Sequence, residues 1–145
     1  MLNCSLEEIE TKAESISQLL NKSREKRIYP GLDHKQLTSW NALLLKGFTT
    51  IYRVFSEPRY KTSAEELYHW ISKNIVPSTG VYRTVTNDIA KLEGTLEDYA
   101  TLMDAFLEFG VLFKNDDAIS QVQKWITKIE AEFKDEHSSL FFFTP

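Results

Sequence analysis

Apolar residues recur along this chain in two different helical patterns, and the contrast between them predicts its architecture. In the segments 6–20, 64–75 and 119–133 the apolar positions form a single stripe, which is typical of a helix that packs on one side. In the segments 39–55 and 95–111 apolar residues cover most of the circumference. Helices of this second kind are packed on several sides. We therefore expect two inner helices, and three outer helices with one apolar face each.

Capping signals indicate where three of these helices begin. In a capping box, a hydroxyl and an acidic or amide side chain three residues later satisfy backbone donors of the first turn. Ser5 with Glu8 has this spacing and predicts a first helix that runs to about residue 26. Thr95 with Asp98 has it too, and predicts the start of the fourth helix. Asn115 is a typical cap for the fifth.

The middle of the chain carries weaker boundary signals. The second helix is expected to start near Thr38 or Ser39, and Pro58 is expected to close it. Residues 62–66 offer hydroxyls and acids at capping-box spacing, so the third helix is expected to open there.

Two segments are predicted to be non-helical. The connection 77–94 is long for a compact helical domain, and its alternating, β-prone run 81–85 predicts a short β-hairpin. The tail 140–145 is also β-prone and strongly apolar, and no later segment covers it. It either packs back on this chain or belongs to a fragment of a larger protein. Together the pattern predicts an all-α fold, a two-layer array of helical hairpins with about five helices and a short β-hairpin. The inner helices begin about one hairpin repeat apart, which is compatible with a repeat architecture.

Composition narrows the function classes. The 145 residues fit one domain, with 42% hydrophobic and 26% charged residues, the balance of a soluble globular protein. A net charge of −4 provides no basic field for phosphates, so nucleic acid is not an expected partner. The sequence shows neither a membrane span nor a secretory signal, and a cytoplasmic location is expected.

Metal, disulfide and cofactor chemistry are not expected. The single cysteine, Cys4, excludes an internal disulfide and any Cys-x-x-Cys site within the chain. His34, His69 and His137 lie in separate segments without ligand spacing. No cofactor is predicted.

Four ordered motifs carry a resemblance to a known protein family. They are Arg24-x-x-Arg27, Pro30-Gly31-Leu32-Asp33-x-Lys35-x-Leu37-Thr38-Ser39-Trp40-Asn41, Gly94-Thr95-Leu96-Glu97-Asp98-Tyr99-Ala100 and Phe141-Phe142-Phe143-Thr144. From about residue 19 onwards the chain resembles the C-terminal part of the YyaL-type, thioredoxin-domain-containing proteins, a group that includes spermatogenesis-associated thioredoxin-like proteins. His34 stands where that family usually has a second acidic residue, and Ala42 stands where glycine is common.

The resemblance implies a fold, and it implies that the chain belongs to a larger protein. Such proteins carry an N-terminal thioredoxin-like domain followed by an (α/α) toroid similar to six-hairpin glycosidases and N-acylglucosamine 2-epimerases. Residues 1–145 would then form a partial (α/α)6 toroid of about two and a half hairpins, as a fragment of a larger protein without the thioredoxin-like domain. The sugar connection is an analogy of fold, which does not by itself transmit function.

The first cluster of candidate site residues lies at the start of the second helix. Asp33, His34 and Lys35 place an acid, a possible base and a cation at the mouth of an inner helix, and suit general acid/base or sugar contact. The alternative is an ordinary turn with a capping aspartate and a solvated lysine. Trp40 and Asn41 could supply a stacking face and a hydrogen-bonding amide, although Trp40 could equally belong to the core.

The second cluster lies at the start of the fourth helix. Glu97 and Asp98 are paired carboxylates, the groups that glycoside chemistry employs. Acidic residues in a first turn are also the expected stabilising choice against the helix dipole, which needs no substrate. Tyr99 fits either interpretation.

Two functional hypotheses follow. In the first, the chain is part of a carbohydrate-binding or carbohydrate-processing toroid, with Asp33, His34, Glu97 and Asp98 as candidate catalytic groups and Lys35, Trp40, Asn41 and Tyr99 as candidate substrate-binding groups. In the second, it is a non-catalytic helical scaffold that self-associates through exposed inner-helix surface.

Overall fold

A computed structural model describes residues 5–77 and 80–145. The cysteine discussed above, Cys4, lies outside these ranges. In the described ranges the helices are α1 (Leu6–Glu25), α2 (Thr38–Phe55), α3 (Pro58–Asn74), α4 (Leu96–Phe113) and α5 (Asp116–Glu132), and the strands are β1 (Gln36–Leu37), β2 (Tyr82–Thr86) and β3 (Ile89–Glu93). None of the helices in these ranges is both long and apolar enough to cross a membrane. The chain divides into two compact units, Met1–Asp33 and His34–Pro145.

The first unit is built around α1. The predicted capping box is confirmed, because the Ser5 amide donates to Glu8 Oε2 at 3.0 Å and the Glu8 amide donates to Ser5 Oγ at 3.2 Å. Lys22 and Arg24 lie in its last turn, where they complement the negative end of the helix dipole. None of the residues of α1 is buried.

In the second unit, α2 and α4 lie side by side and run parallel. Lys46 Nζ bonds Asp104 Oδ2 at 2.5 Å, and one turn further along both helices Thr50 Oγ1 donates to Glu108 Oε2 at 3.3 Å. The constant sequence offset of these two pairs fixes the relative direction. On the other sides, α3 packs on α2 and α5 packs on α4. Within this unit, the prediction of two inner and two outer helices is confirmed.

The core of this unit lies between the inner and outer helices and is rich in aromatic rings. Tyr68 of α3 stacks on Phe109 of α4 with ring centroids 4.4 Å apart. Phe106 of α4 meets Trp125 of α5 edge to face at 5.0 Å. Such aromatic pairs add to the free energy gained by burying apolar surface.

The predicted start of the third helix is wrong. Instead of opening at 62–66, α3 begins at Pro58, directly after α2 ends at Ser56, whose φ of 55° is left-handed. Proline suits the first position of a helix because its missing N–H would have no partner there and its φ is already helical. The proline therefore starts one helix instead of only ending another.

The predicted β-hairpin is confirmed and is part of a small antiparallel sheet with the strand order β1-β2-β3. Tyr82 pairs with Glu93 and Thr86 with Ile89, across a two-residue turn at Asn87 and Asp88. Both turn residues have positive φ, 51° and 59°, as a hairpin turn that follows the strand twist requires. Strand β1, which the sequence pattern did not predict, pairs with β2 and anchors the start of α2 to the hairpin.

The apolar tail packs back on the chain. The Phe142 amide donates to the Phe133 carbonyl at 2.7 Å, and the Leu96 amide donates to the Phe143 carbonyl at 2.9 Å. The tail therefore supplies an acceptor to the first turn of α4, where backbone donors have no partner within the helix.

Candidate functional site

The first turn of α4 is held by a buried polar network. Asp98 Oδ2 accepts hydrogen bonds from the Thr95 amide and from Thr95 Oγ1, both at 2.9 Å. Arg83 of β2 donates from Nη1 to Thr95 Oγ1 at 2.9 Å and lies 3.6 Å from the same Asp98 oxygen. Asp98 is only 1% exposed, so its charge is compensated by these donors and not by water. The predicted pairing of Thr95 with Asp98 is confirmed.

The start of α2 is held instead by hydrogen bonds from side chains to backbone carbonyls. Thr38 Oγ1 donates to the Tyr82 carbonyl of β2 at 2.6 Å. Asn41 Nδ2 donates to the Leu37 carbonyl at 2.8 Å, within the same helix end. Because α2 and α4 are parallel and both begin beside β2, we call the N-terminal ends of these two helices the inner-helix end.

The structure separates the predicted site residues by exposure. At the inner-helix end, Trp40 is 70% exposed and Glu97 is exposed, whereas Asn41 is half-buried. His34 and Lys35 lie exposed just before β1.

The other predicted residues differ in burial or belong to the first unit. Asp33 belongs to the first compact unit, where it is exposed. Asp98 and Tyr99 are buried. The structure thus brings Trp40, Asn41 and Glu97 to the same end of two neighbouring helices, and turns Asp98 and Tyr99 inward. The chemical roles of all eight residues stay predictions.

Tyr99 faces a pocket of about 210 Å³, which we call the hairpin pocket. It is lined by Gly80, Glu93 and Gly94 at the base of the hairpin, by Tyr99, and by Lys128 and Glu132 of α5, among others. Lys128 Nζ bonds Glu132 Oε1 at 2.6 Å, and this bond raises the pKa of Lys128. Burial raises the pKa of Tyr99, opposed in part by the charge of Lys128.

Four charged residues that the structure places in these sites were not predicted from the sequence, namely Arg83, Glu93, Lys128 and Glu132. Arg83 lies in the alternating run 81–85 that predicted the hairpin. A charged residue in an otherwise β-prone run was the signal that could have identified it. Lys128 and Glu132 stand four residues apart on a predicted helix, which indicates a surface pair and gives no sign of a pocket. Among the described residues, no group of three or more His, Cys, Asp or Glu side chains could hold a metal ion.

Three solved structures share the fold of this chain. They are cellobiose 2-epimerase from Bacillus thermoamylovorans B4167 (TM-score 0.71, 17% identity), cellobiose 2-epimerase from Spirochaeta thermophila DSM 6192 (TM-score 0.68, 15% identity) and a GH76 α-mannanase from Bacteroides thetaiotaomicron (TM-score 0.69, 12% identity). The alignments cover 78%, 77% and 79% of this chain, but only 30%, 29% and 33% of those proteins. The predicted α/α toroid fold class is confirmed, and the chain corresponds to about a third of such a structure.

The chain also shows sequence similarity to a curated protein. A curated relative, the uncharacterized protein B0495.5 of Caenorhabditis elegans, is 24% identical over 125 residues. The match covers 81% of this chain and 17% of that protein, so the chain spans only a small part of its relative. No protein-family model matches the chain.

Proposed function

We propose that this chain is a carbohydrate-binding portion of an (α/α) toroid, with the sugar held at the inner-helix end. The observation that carries this proposal is the parallel arrangement of α2 and α4, which puts the exposed Trp40 and the exposed Glu97 on the first turns of adjacent helices. An exposed tryptophan offers a flat apolar face to a sugar ring, and a carboxylate accepts hydrogen bonds from its hydroxyls. The epimerase and mannanase neighbours are named for sugar substrates, which adds support from fold alone.

Within this proposal the candidate residues have different tasks. Trp40 stacks on the ligand, and Glu97 and His34 are the groups proposed for proton transfer, because carboxyl and imidazole groups are common general acids and bases in enzymes. Asn41 and Lys35 contribute hydrogen bonds. Asp98 acts instead as a positioning residue, which fixes the end of α4 through Thr95 and Arg83.

We further propose that the chain is a segment of a longer protein of the YyaL-type, thioredoxin-domain-containing group. The four quoted motifs support this assignment. The coverage values support it as well, since this chain spans 17% of its worm relative and about a third of the toroid structures. In the complete protein, further hairpins would complete the ring.

A thermal-shift titration with glucose, mannose and cellobiose tests the site. A ligand at ten times its Kd stabilises the folded state by about 1.4 kcal/mol, which corresponds to a Tm rise of a few degrees for a chain of this size. We expect such a rise in the parent chain and its loss in Trp40→Ala and Glu97→Gln.

Phe55→Ala is the matched control. Phe55 is also an exposed aromatic residue of α2, 65% exposed, but it lies at the opposite end of the helix. This variant should keep the full ligand response. An equal response in Trp40→Ala, or none in the parent chain, would rule out a site at the inner-helix end of this chain.

A second candidate function, a helical scaffold that pairs with another copy, is favoured by a different observation. Large apolar side chains of the inner helices remain exposed, namely Trp40, Leu43, Leu44, Val54 and Phe55 on α2 and Leu107 and Val111 on α4. Contiguous exposed apolar surface typically marks an interaction site. Light scattering should then show a dimer that dissociates on dilution and in Leu43→Glu. A monomer at all concentrations would dismiss this candidate.

A further inference from the structure

The hairpin pocket is a separate site from the inner-helix end, and its walls come from three elements. The hairpin base contributes Glu93, the first turn of α4 contributes Tyr99, and α5 contributes Lys128 and Glu132. Trp40 and Glu97 do not belong to its lining. Its volume of about 210 Å³ equals roughly seven water molecules at about 30 Å³ each, which suits one small molecule and not an oligomer.

The polar groups of the pocket include both hydrogen-bond donors and acceptors. Lys128 donates, whereas Glu93 and Glu132 accept. Tyr99 is 2% exposed, and burial raises the pKa of its hydroxyl, so the phenol stays neutral near pH 7 and can both donate and accept. One ammonium and two carboxylates give these side chains a net charge of −1, with Lys128 already bonded to Glu132.

Two glycines allow close packing at the hairpin base, beside the pocket. A Cβ atom at Gly80 would lie 3.6 Å from the Tyr99 hydroxyl, in van der Waals contact with the group that faces the pocket. A Cβ atom at Gly94 would lie 2.9 Å from Val81 Cγ1, closer than real contacts allow, so glycine lets the two ends of the hairpin approach each other. The hairpin backbone therefore approaches the Tyr99 hydroxyl closely at Gly80.

We propose that the hairpin pocket binds a small neutral polyhydroxylated molecule of the monosaccharide class. An anionic ligand would meet Glu93 and Glu132, and a cationic ligand would have to compete with Lys128, whose pKa both carboxylates raise. A neutral polyol can instead donate to the carboxylates, accept from the ammonium, and exchange a hydrogen bond with Tyr99. The Tyr99 hydroxyl orients the ligand, since it is the buried polar group of the pocket and its ring is fixed by edge contacts with Trp125 and Phe133.

The test is an NMR titration of the 145-residue chain with three probes that share one skeleton: glucose, glucosamine as the cation and glucose 6-phosphate as the anion. With glucose, we expect saturable shifts of the Gly80 and Gly94 amides. Tyr99→Phe removes only the hydroxyl and should weaken binding about fivefold or more, the loss of one hydrogen bond. Lys128→Met should weaken it similarly, whereas Lys124→Met, an exposed lysine of the same helix, should not.

Each outcome separates this proposal from the one for the inner-helix end. Trp40→Ala should leave the Gly80 and Gly94 shifts intact even where it abolishes sugar-induced stabilisation. Unsaturable shifts, equal binding by Tyr99→Phe, or tighter binding of either charged probe than of glucose would overturn the proposal. The parent-like amide spectrum of Tyr99→Phe in the absence of ligand serves as the check that this variant is folded.

Discussion

The two inner helices have similar patterns of apolar residues, but they bury side chains of different size. Helix α4 buries large rings, with Phe106 only 1% exposed and Phe109 equally enclosed. Helix α2 buries mostly small side chains such as Ala42 and Thr49, while Phe55 at its C-terminal end is 65% exposed. Each inner helix has two helical neighbours, but α4 also receives Tyr68 of α3 against its rings Phe106 and Phe109. An apolar helix is therefore a core helix only as far as neighbours exist to cover it.

The largest expected effect tests this contrast at two phenylalanines. Phe106→Ala should lower the free energy of unfolding by about 3–5 kcal/mol, because it removes a fully enclosed ring and leaves a cavity beside Tyr68 and Trp125. Phe55→Ala makes the same change on exposed surface and should stay within about 0.5 kcal/mol of the parent chain. Urea denaturation measures both. A loss at Phe55 comparable to that at Phe106 would show that α2 is covered in solution, for instance by a second copy.

A pair of glycines should give effects of opposite sign. Gly94→Ala brings a Cβ atom to 3.0 Å from the Val81 carbonyl oxygen, and such overpacking should cost about 1–3 kcal/mol. Gly47 lies in the interior of α2, and a Cβ atom added there would meet no other atom within 4 Å, so Gly47→Ala should stabilise by about 0.4–1 kcal/mol. Thermal unfolding of the two variants provides the comparison. Destabilisation by Gly47→Ala would mean that another surface approaches α2 there.

The two carboxylates in the first turn of α4 should differ as well. Asp98→Asn weakens the buried network with Thr95 and Arg83 and should cost about 1–2 kcal/mol, the range of a lost helix cap. Glu97→Gln changes an exposed carboxylate in the same turn and should cost at most about 0.5 kcal/mol. Urea denaturation at neutral pH separates them. If both variants lost equal stability, the helix dipole and not the buried network would be the main source of stabilisation.

The fold and part of the site could be predicted from the sequence for identifiable physical reasons. Period-3.6 patterns and local caps are short-range signals, so the helices and the caps at Ser5, Thr95 and Asn115 could be predicted. Which way Tyr99 points depends on its contacts with Trp125 and Phe133, which are distant in sequence. The hairpin pocket with Lys128 and Glu132 could not be predicted for the same reason. The third helix was expected to start too late because a proline can follow the end of one helix or begin the next. The left-handed backbone at Ser56 shows that α2 ends before Pro58, so that the proline begins α3.

The smallest expected effect concerns the ion pair that joins the two inner helices. The hydrogen bond from Lys46 to Asp104, helped by Glu108, raises the pKa of Lys46 above its ordinary value of 10.5. Because the folded state holds this proton more tightly than the unfolded state, the contribution is fully present below pH 10.5 and is lost as the pH rises through the raised pKa. The group is solvent-accessible, so the contribution is small and screened by salt. We expect the small Tm difference between the parent chain and Lys46→Met to vanish above that pH and in high salt. A Tm difference that persisted in strong salt and alkali would mean that the aliphatic stem of Lys46, and not its charge, holds α2 against α4.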